Sequence, residues 1–214
     1  GPQSSLWGSD AIGGVIAFTT REIDGLRAEA EAGSYDTLRV RVSAGVANDQ
    51  YALGAYVSRF DTDGISAADE ADGNTEADGF RSTTLGAKGR YAFSDKVKVD
   101  GAVRWNESHA DLDGFAAPDY ALADTDDTQE SEQWSGFARL SAVALGLNHQ
   151  FSVSASDIDR TSYSDGFGSN FTGDRQAYRW QADGKTRDVN YAFGVERNEA
   201  SAALSSGLSR DLAI

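Results

Sequence analysis

Apolar residues recur at every second position along most of this chain. Leu26, Ala28, Ala30 and Ala32 alternate with Arg27, Glu29 and Glu31, and Leu38, Val40, Val42, Ala44 and Val46 alternate with Arg39, Arg41, Ser43 and Gly45. The same period runs through residues 51–57, 85–93, 97–105, 151–155, 178–182 and 189–195. Residues 134–144 are less regular, because Phe137 and Val143 fall on the opposite face. Successive side chains of a strand point to opposite faces, so this period gives each segment one apolar and one polar face. About nine such strands are predicted, and the fold class is all-β.

The connections between them alternate in length. Short ones fall at 33–36, at Asn48-Asp49, at Ser94-Asp95, at Asn148 and at 184–187; long ones are expected at 61–79, 107–133 and 157–174. An antiparallel meander with tight turns at one end and long loops at the other is the pattern of an outer-membrane β-barrel. Tyr51, Tyr91, Phe93, Trp105, Trp134, Tyr178, Trp180, Tyr191 and Phe193 fall near strand ends, where interfacial girdles sit. A soluble barrel or sandwich also alternates. Against it, the apolar face is rich in Ala, Gly and Val, and the other face carries Arg39, Arg41, Lys88, Arg90, Lys96, Lys98 and Arg104, which suits a wet lumen.

Composition excludes several classes. There is no Cys, which removes disulfides, thiolate metal sites and cysteine nucleophiles. No apolar run approaches the roughly 18 residues of a membrane helix, which says nothing against a barrel. The formal charge of −15 argues against a nucleic-acid surface, which needs clustered Lys and Arg. That charge is localised. Seven acids lie in 61–79 and nine in 107–133, with no Lys or Arg between positions 61 and 79 or between 107 and 133. Of 34 acids these sixteen leave 18 against 19 bases elsewhere, so the acidity belongs to two loops.

The first twenty residues carry a contiguous motif: Gly1-Pro2-Gln3-Ser4-Ser5-Leu6-Trp7-Gly8, then Ala11-Ile12-Gly13-Gly14-Val15-Ile16. Gly13 and Gly14 permit a tight bend or close packing, and residues 15–18 read as a short buried strand. The stretch resembles the end of the plug domain of TonB-dependent outer-membrane receptors, with Gly1, Pro2, Ser4, Leu6, Gly8, Ala11, Gly13 and Gly14 at the matching positions and Ala17 where that family usually carries Asn. The resemblance implies a plug tail over 1–22 and the N-terminal part of a transmembrane β-barrel over 23–214. Receptors of this kind have about 22 strands, so a fragment is expected, with an open sheet edge that does not insert stably alone. It also implies a Gram-negative outer-membrane location, contact with lipid, and a TonB-binding segment upstream of Gly1.

Within the acidic stretches, Asp72, Asn74, Glu76 and Asp78 place oxygens at every second position, on one face of an extended segment. A hard cation such as calcium takes six to eight oxygens, more than one loop supplies, and the neighbouring loop with Asp111, Asp113 and Asp124 can add to them. Residues 75–80 with 82–85, and 122–125 with 131–134, are similar to loop blocks of the cobalamin-transporting members of the same family. That likeness implies calcium ligands at Glu76, Asp78 and Asp124, more loosely at Asp63 and at Asp111 or Asp113, and cobalamin as the ligand. The alternative is that these acids only solvate exposed loops.

Other chemistry is thin. His109 and His149 lack metal-ligand spacing, and no G-x-S-x-G elbow is present. No catalytic residue is expected. The classes left are an energy-coupled receptor for cobalamin, the same kind of receptor for a siderophore or other metal chelate, a passive porin-like barrel, and an outer-membrane hydrolase.

Overall fold

The computed structural model of the chain describes residues 21–207 and 209–213, apart from 117, 119 and 165. The plug-like motif at Gly1–Gly14 therefore lies outside the described residues. Ten strands follow: β1 (Gly25–Ala32), β2 (Leu38–Ala47), β3 (Tyr51–Thr62), β4 (Phe80–Ser94), β5 (Val97–Ala116), β6 (Ala121–Ala144), β7 (Leu147–Ser164), β8 (Phe167–Thr186), β9 (Val189–Leu204) and β10 (Ser209–Ala213). All pair antiparallel in chain order, forming one sheet that is open between β1 and β10. The meander is as expected; β10 is one strand more than the period showed.

The register explains why period two was so clear. Val57, Leu85, Trp105 and Trp134 lie opposite one another in one transverse row, on one face of four consecutive strands. Two residues further from the tight-turn end, the same face carries Arg59, Thr83, Glu107, Glu132 and Asp159, again in one row. The face thus changes from apolar to charged within a single strand repeat, as at a hydrocarbon–water boundary. Its apolar side chains are open: Leu53, Phe93 and Val195 are each 63–64% exposed, and no large side chain among the described residues is fully buried. A soluble sandwich would bury this face against a second sheet. Here a single sheet presents it outward. Near the tight-turn end Trp180 packs with Phe151, His149 and Phe193, and Tyr91 with Phe93.

The opposite face is polar and concave. Residues from β1 through β9 line one groove of about 1380 Å³ on it, which a flat sheet would not enclose. Arg27, Arg41, Lys88, Arg104, Arg175 and Arg179 point into it, with serines 43, 135, 152, 154 and 156 between them.

Three connections differ from expectation. The turn after β6 is Leu145-Gly146, with φ of 53° and 76°, and Asn148 is already in β7. Two successive positive φ values make a tight hairpin turn, but Leu carries no sequence signal for it. More substantially, 107–133 and 157–174 are not long loops. β5 and β6 stay paired to Ala116–Ala121, and β7 and β8 to Ser164–Phe167, as hairpins standing above the apolar band. At the base of the β5–β6 hairpin both faces are polar: Glu107 opposes Glu132 on one and Ser108 opposes Ser131 on the other. Without an apolar face there is no hydrophobic period to read. Among the described connections, only 63–79 is a long loop, with one 3₁₀ turn at Glu70–Asp72.

Candidate functional site

The 63–79 loop folds over the β5–β6 hairpin, and the hairpin is shaped to receive it. The ladder shifts register between Leu112 and Gly114: Leu112 pairs with Asp127 but Gly114 with Ala123, so Asp124, Thr125 and Asp126 bulge from β6. Such a bulge bends the strand and re-aims its side chains. A Cβ at Gly114 would stand 2.4 Å from an Asp127 carboxylate oxygen and 2.8 Å from the Thr125 hydroxyl, so a larger residue beneath the bulge would push these side-chain ends aside.

Three aspartates clasp the loop. The Asp113 Oδ2 accepts the Ala68 N–H at 2.6 Å and the Ser66 hydroxyl lies 3.2 Å away. The Asp124 Oδ2 accepts the N–H groups of Thr75 at 2.8 Å and Glu76 at 3.0 Å, while its own N–H donates to the Asn74 Oδ1 at 3.2 Å. The Asp78 Oδ2 accepts the Ala67 N–H at 2.6 Å, within the loop. Ala68 is buried at the centre, 5% exposed. Charge-assisted bonds of this kind are the stronger class, and they satisfy donors of a loop that has no ladder of its own.

The like charges that make this clasp also oppose one another. Loss of hydration raises the Glu76 carboxyl above its usual range, reinforced by Asp126, Asp124, Asp113 and Asp78. Asp78 is raised for the same reason, with Asp113 and Asp124 adding to the effect against the Ala67 N–H, which lowers it.

Of the six expected cation ligands, four meet here: Glu76, Asp78, Asp113 and Asp124. Asp63 stands apart, its N–H donating to the Tyr35 carbonyl at 3.0 Å to join the 33–37 and 63–79 loops. Asp111 turns to His109, with its Oδ1 3.0 Å from Nε2. Among the described residues, no three Asp, Glu or His side chains surround one point as a metal would need. The aspartate oxygens instead face N–H groups. Ser66 and Asp126 also belong to the cluster and were not singled out by the sequence. Asn74, one of the alternating oxygens, joins it through backbone partners, donating to the Asp69 carbonyl and accepting the Asp124 N–H.

A second feature lies on the concave face. Arg90 is bound to Glu22 and Arg139 to Asp100, and an Arg179–Glu196 pair spans 3.7 Å. Arg41 stacks on the Tyr56 ring at 4.5 Å, and Arg175 donates to the Asn198 Oδ1. The groove thus holds cations over and above its carboxylates, in a chain that is acidic overall.

No family model and no curated protein matches the chain. Its fold is that of solved structures, among them the ferric yersiniabactin uptake receptor FyuA from Yersinia pestis. The TM-score is 0.69 at 20% identity, over 99% of this chain and 36% of that receptor. At that identity the likeness is one of fold: the ten-stranded meander corresponds to part of the receptor's barrel. The chain spans 36% of that protein's length.

Proposed function

We propose that this chain is part of a TonB-dependent receptor of a Gram-negative outer membrane, and that its ligand is a metal chelate of the siderophore type. The observation that carries the reading is the fold shared with the yersiniabactin receptor along nearly the whole chain. The plug-like Gly1–Gly14 motif and the sharp apolar boundary at Val57, Leu85, Trp105 and Trp134 agree with it. The ligand would meet the external hairpins and the clasped loop, then pass the plug when TonB pulls on a segment upstream. The protein's part is selective binding and passage; no bond is broken, and it is not an enzyme in this reading.

A chelate fits the charge distribution. Asp78 of the loop and Asp113 and Asp124 of the hairpin are turned onto N–H groups, and the concave wall beyond them is arginine- and serine-lined, a surface suited to an anionic complex. Cobalamin has in its favour only the likeness of the 75–85 and 122–134 blocks, and it is the second ligand of the proposal.

Calcium belongs to the same proposal as a loop cation. Glu76, Asp78, Asp113 and Asp124 crowd like charge, and an oxygen-seeking cation would relieve what raises Glu76 and Asp78. It would draw on the carboxylate oxygens that hold no N–H.

The test is uptake by the full-length receptor in cells with and without TonB, offering ferric siderophores and cobalamin separately, each with calcium or a chelator. TonB-dependent uptake of a ferric chelate is the expected result. Uptake of cobalamin alone would reverse the ligand order. Equal uptake without TonB would replace the receptor with a passive pore.

A further inference from the structure

The residues just before β1 are seated in the barrel wall by three separate contacts. Ile23 lies in a slot between β2 and β3 that exists because two directly opposed residues, Gly45 and Gly54, have no side chains. A Cβ on Gly45 would stand 2.3 Å from the Ile23 carbonyl oxygen, and one on Gly54 2.7 Å from the Ile23 Cβ. Neither atom has room to give, since one is backbone and the other the root of a branched side chain. Glycine inside a strand marks such close approach of another chain segment. Ser43, Ala52 and Gly54, the buried residues of these two strands, flank the slot.

Polar contacts hold the segment on either side. Glu22 meets Arg90 of β4 through both carboxylate oxygens, the second at 3.1 Å. The same guanidinium donates to the carbonyls of Asn48 at 2.6 Å and Asp49 at 3.2 Å, in the tight turn between β2 and β3. One arginine thus ties the entering segment, the turn and β4 together. On the other side the Asp24 Oδ1 accepts the Ala47 N–H at 3.3 Å. Sequence period alone places Gly45 and Gly54 as ordinary small residues; only the register shows that they face each other.

We infer that Gly45, Gly54 and Arg90 are positioning residues that fix residues 22–24 to the barrel wall, so that in the proposed receptor these three residues stay with the barrel during transport. The mechanical half rests on the proposed receptor function; the seat itself does not. A closed seat keeps residues 22–24 and β1 together as one body and leaves the wall intact.

The experiment uses the full-length protein, freed of any other cysteines, with Asp24→Cys and Ala47→Cys together, a pair that leaves the glycine slot unfilled; the Asp24 Oδ1 lies 3.3 Å from the Ala47 N–H. A short bis-methanethiosulfonate reagent joins the two thiols reversibly. Treatment of intact cells is expected to give a cross-link in most molecules, equally with TonB present or absent, and to leave TonB-dependent uptake within about twofold of the untreated protein. Uptake that falls tenfold or more on cross-linking and returns on reduction would overturn the fixed seat, because the seam would then have to open. Failure to cross-link would overturn the seat directly. Gly45→Val, which fills the slot, is expected to raise maleimide labelling of a single Ile23→Cys at least tenfold, and unchanged labelling would count against the slot. Cross-linking without uptake of any ligand by the unmodified protein would reject the receptor reading while leaving the seat standing.

Discussion

Asp124 and Glu76 are joined through the backbone and opposed through their side chains. The Asp124 Oδ2 accepts the Glu76 N–H at 3.0 Å, while the Asp124 charge helps to raise the Glu76 carboxyl. The bond that holds the loop therefore also loads it with like charge. Asp124→Ala removes acceptors for the Thr75 and Glu76 N–H groups together. The half-open site places the cost at about 1–2 kcal/mol of local stability. Hydrogen exchange at Thr75 and Glu76 in the full-length protein is expected to quicken roughly tenfold, with the strand amides of β3 and β4 unchanged. Quickening throughout the sheet would mean that Asp124 supports the barrel and not the loop.

The pH response of the loop follows from the direction of the shifts. Glu76 and Asp78 have raised folded-state values, so the folded loop holds more protons than the unfolded one between their usual and raised values. Stability is then greater on the acid side and declines as pH rises through that window. Limited proteolysis within 63–79 is expected to slow as pH falls from neutral toward mild acid, and Glu76→Gln together with Asp78→Asn is expected to remove most of that dependence. Faster cleavage in acid would show that the N–H bonds to ionised carboxylates outweigh the repulsion. Calcium is expected to mimic acid in the wild type and to have little effect on the double variant.

How much of this was legible depends on what each strand face meets. Where one face is apolar and the other polar, period two located the strands, and Val57 and Trp105 mark how far it carried. Beyond them Glu107 faces Glu132 and Ser108 faces Ser131, so 107–116 and 121–133 read as loop although they are strand. The oxygen spacing at Glu76 and Asp78 marked out this loop, and in the structure Asp113 and Asp124 bond it. Their partners are the N–H groups of Ala67, Ala68 and Thr75, which every sequence possesses, so the clasp could not be told from a cation site. Asp63 and Asp111 shared the composition but not the bulge that aims Asp113 and Asp124.

Gly86 and Tyr56 are opposed across β3 and β4, and a Cβ on Gly86 would stand 2.4 Å from the Tyr56 ring. That ring supports Arg41 on the concave face. Gly86→Val is expected to drive the ring aside, release Arg41 and destabilise the full-length barrel by about 1–3 kcal/mol. Urea unfolding in detergent, with Tyr56→Ala alongside, reads this: combining the two substitutions is expected to recover most of the loss. Equal loss in both backgrounds would mean that strand backbone, not the ring, is displaced.

The height of the apolar band can be measured with one residue type. Val153 and Asp157 lie on the same face of β7, opposite Ala138 and Trp134 of β6. Val153 sits in the apolar belt, and Asp157 at its edge. An arginine on the lipid face near the bilayer midplane costs about 2–4 kcal/mol, and near the interface roughly 0–1. Val153→Arg is therefore expected to fall in the upper range and Asp157→Arg near zero, read from reversible folding of the full-length receptor into bilayers. The two sites differ by four residues on one strand, so local strand propensity and lumenal contacts are shared and depth is what separates them. Similar costs at both would move the membrane boundary above Asp157 and place the charged row of Glu107, Glu132 and Asp159 against lipid headgroups.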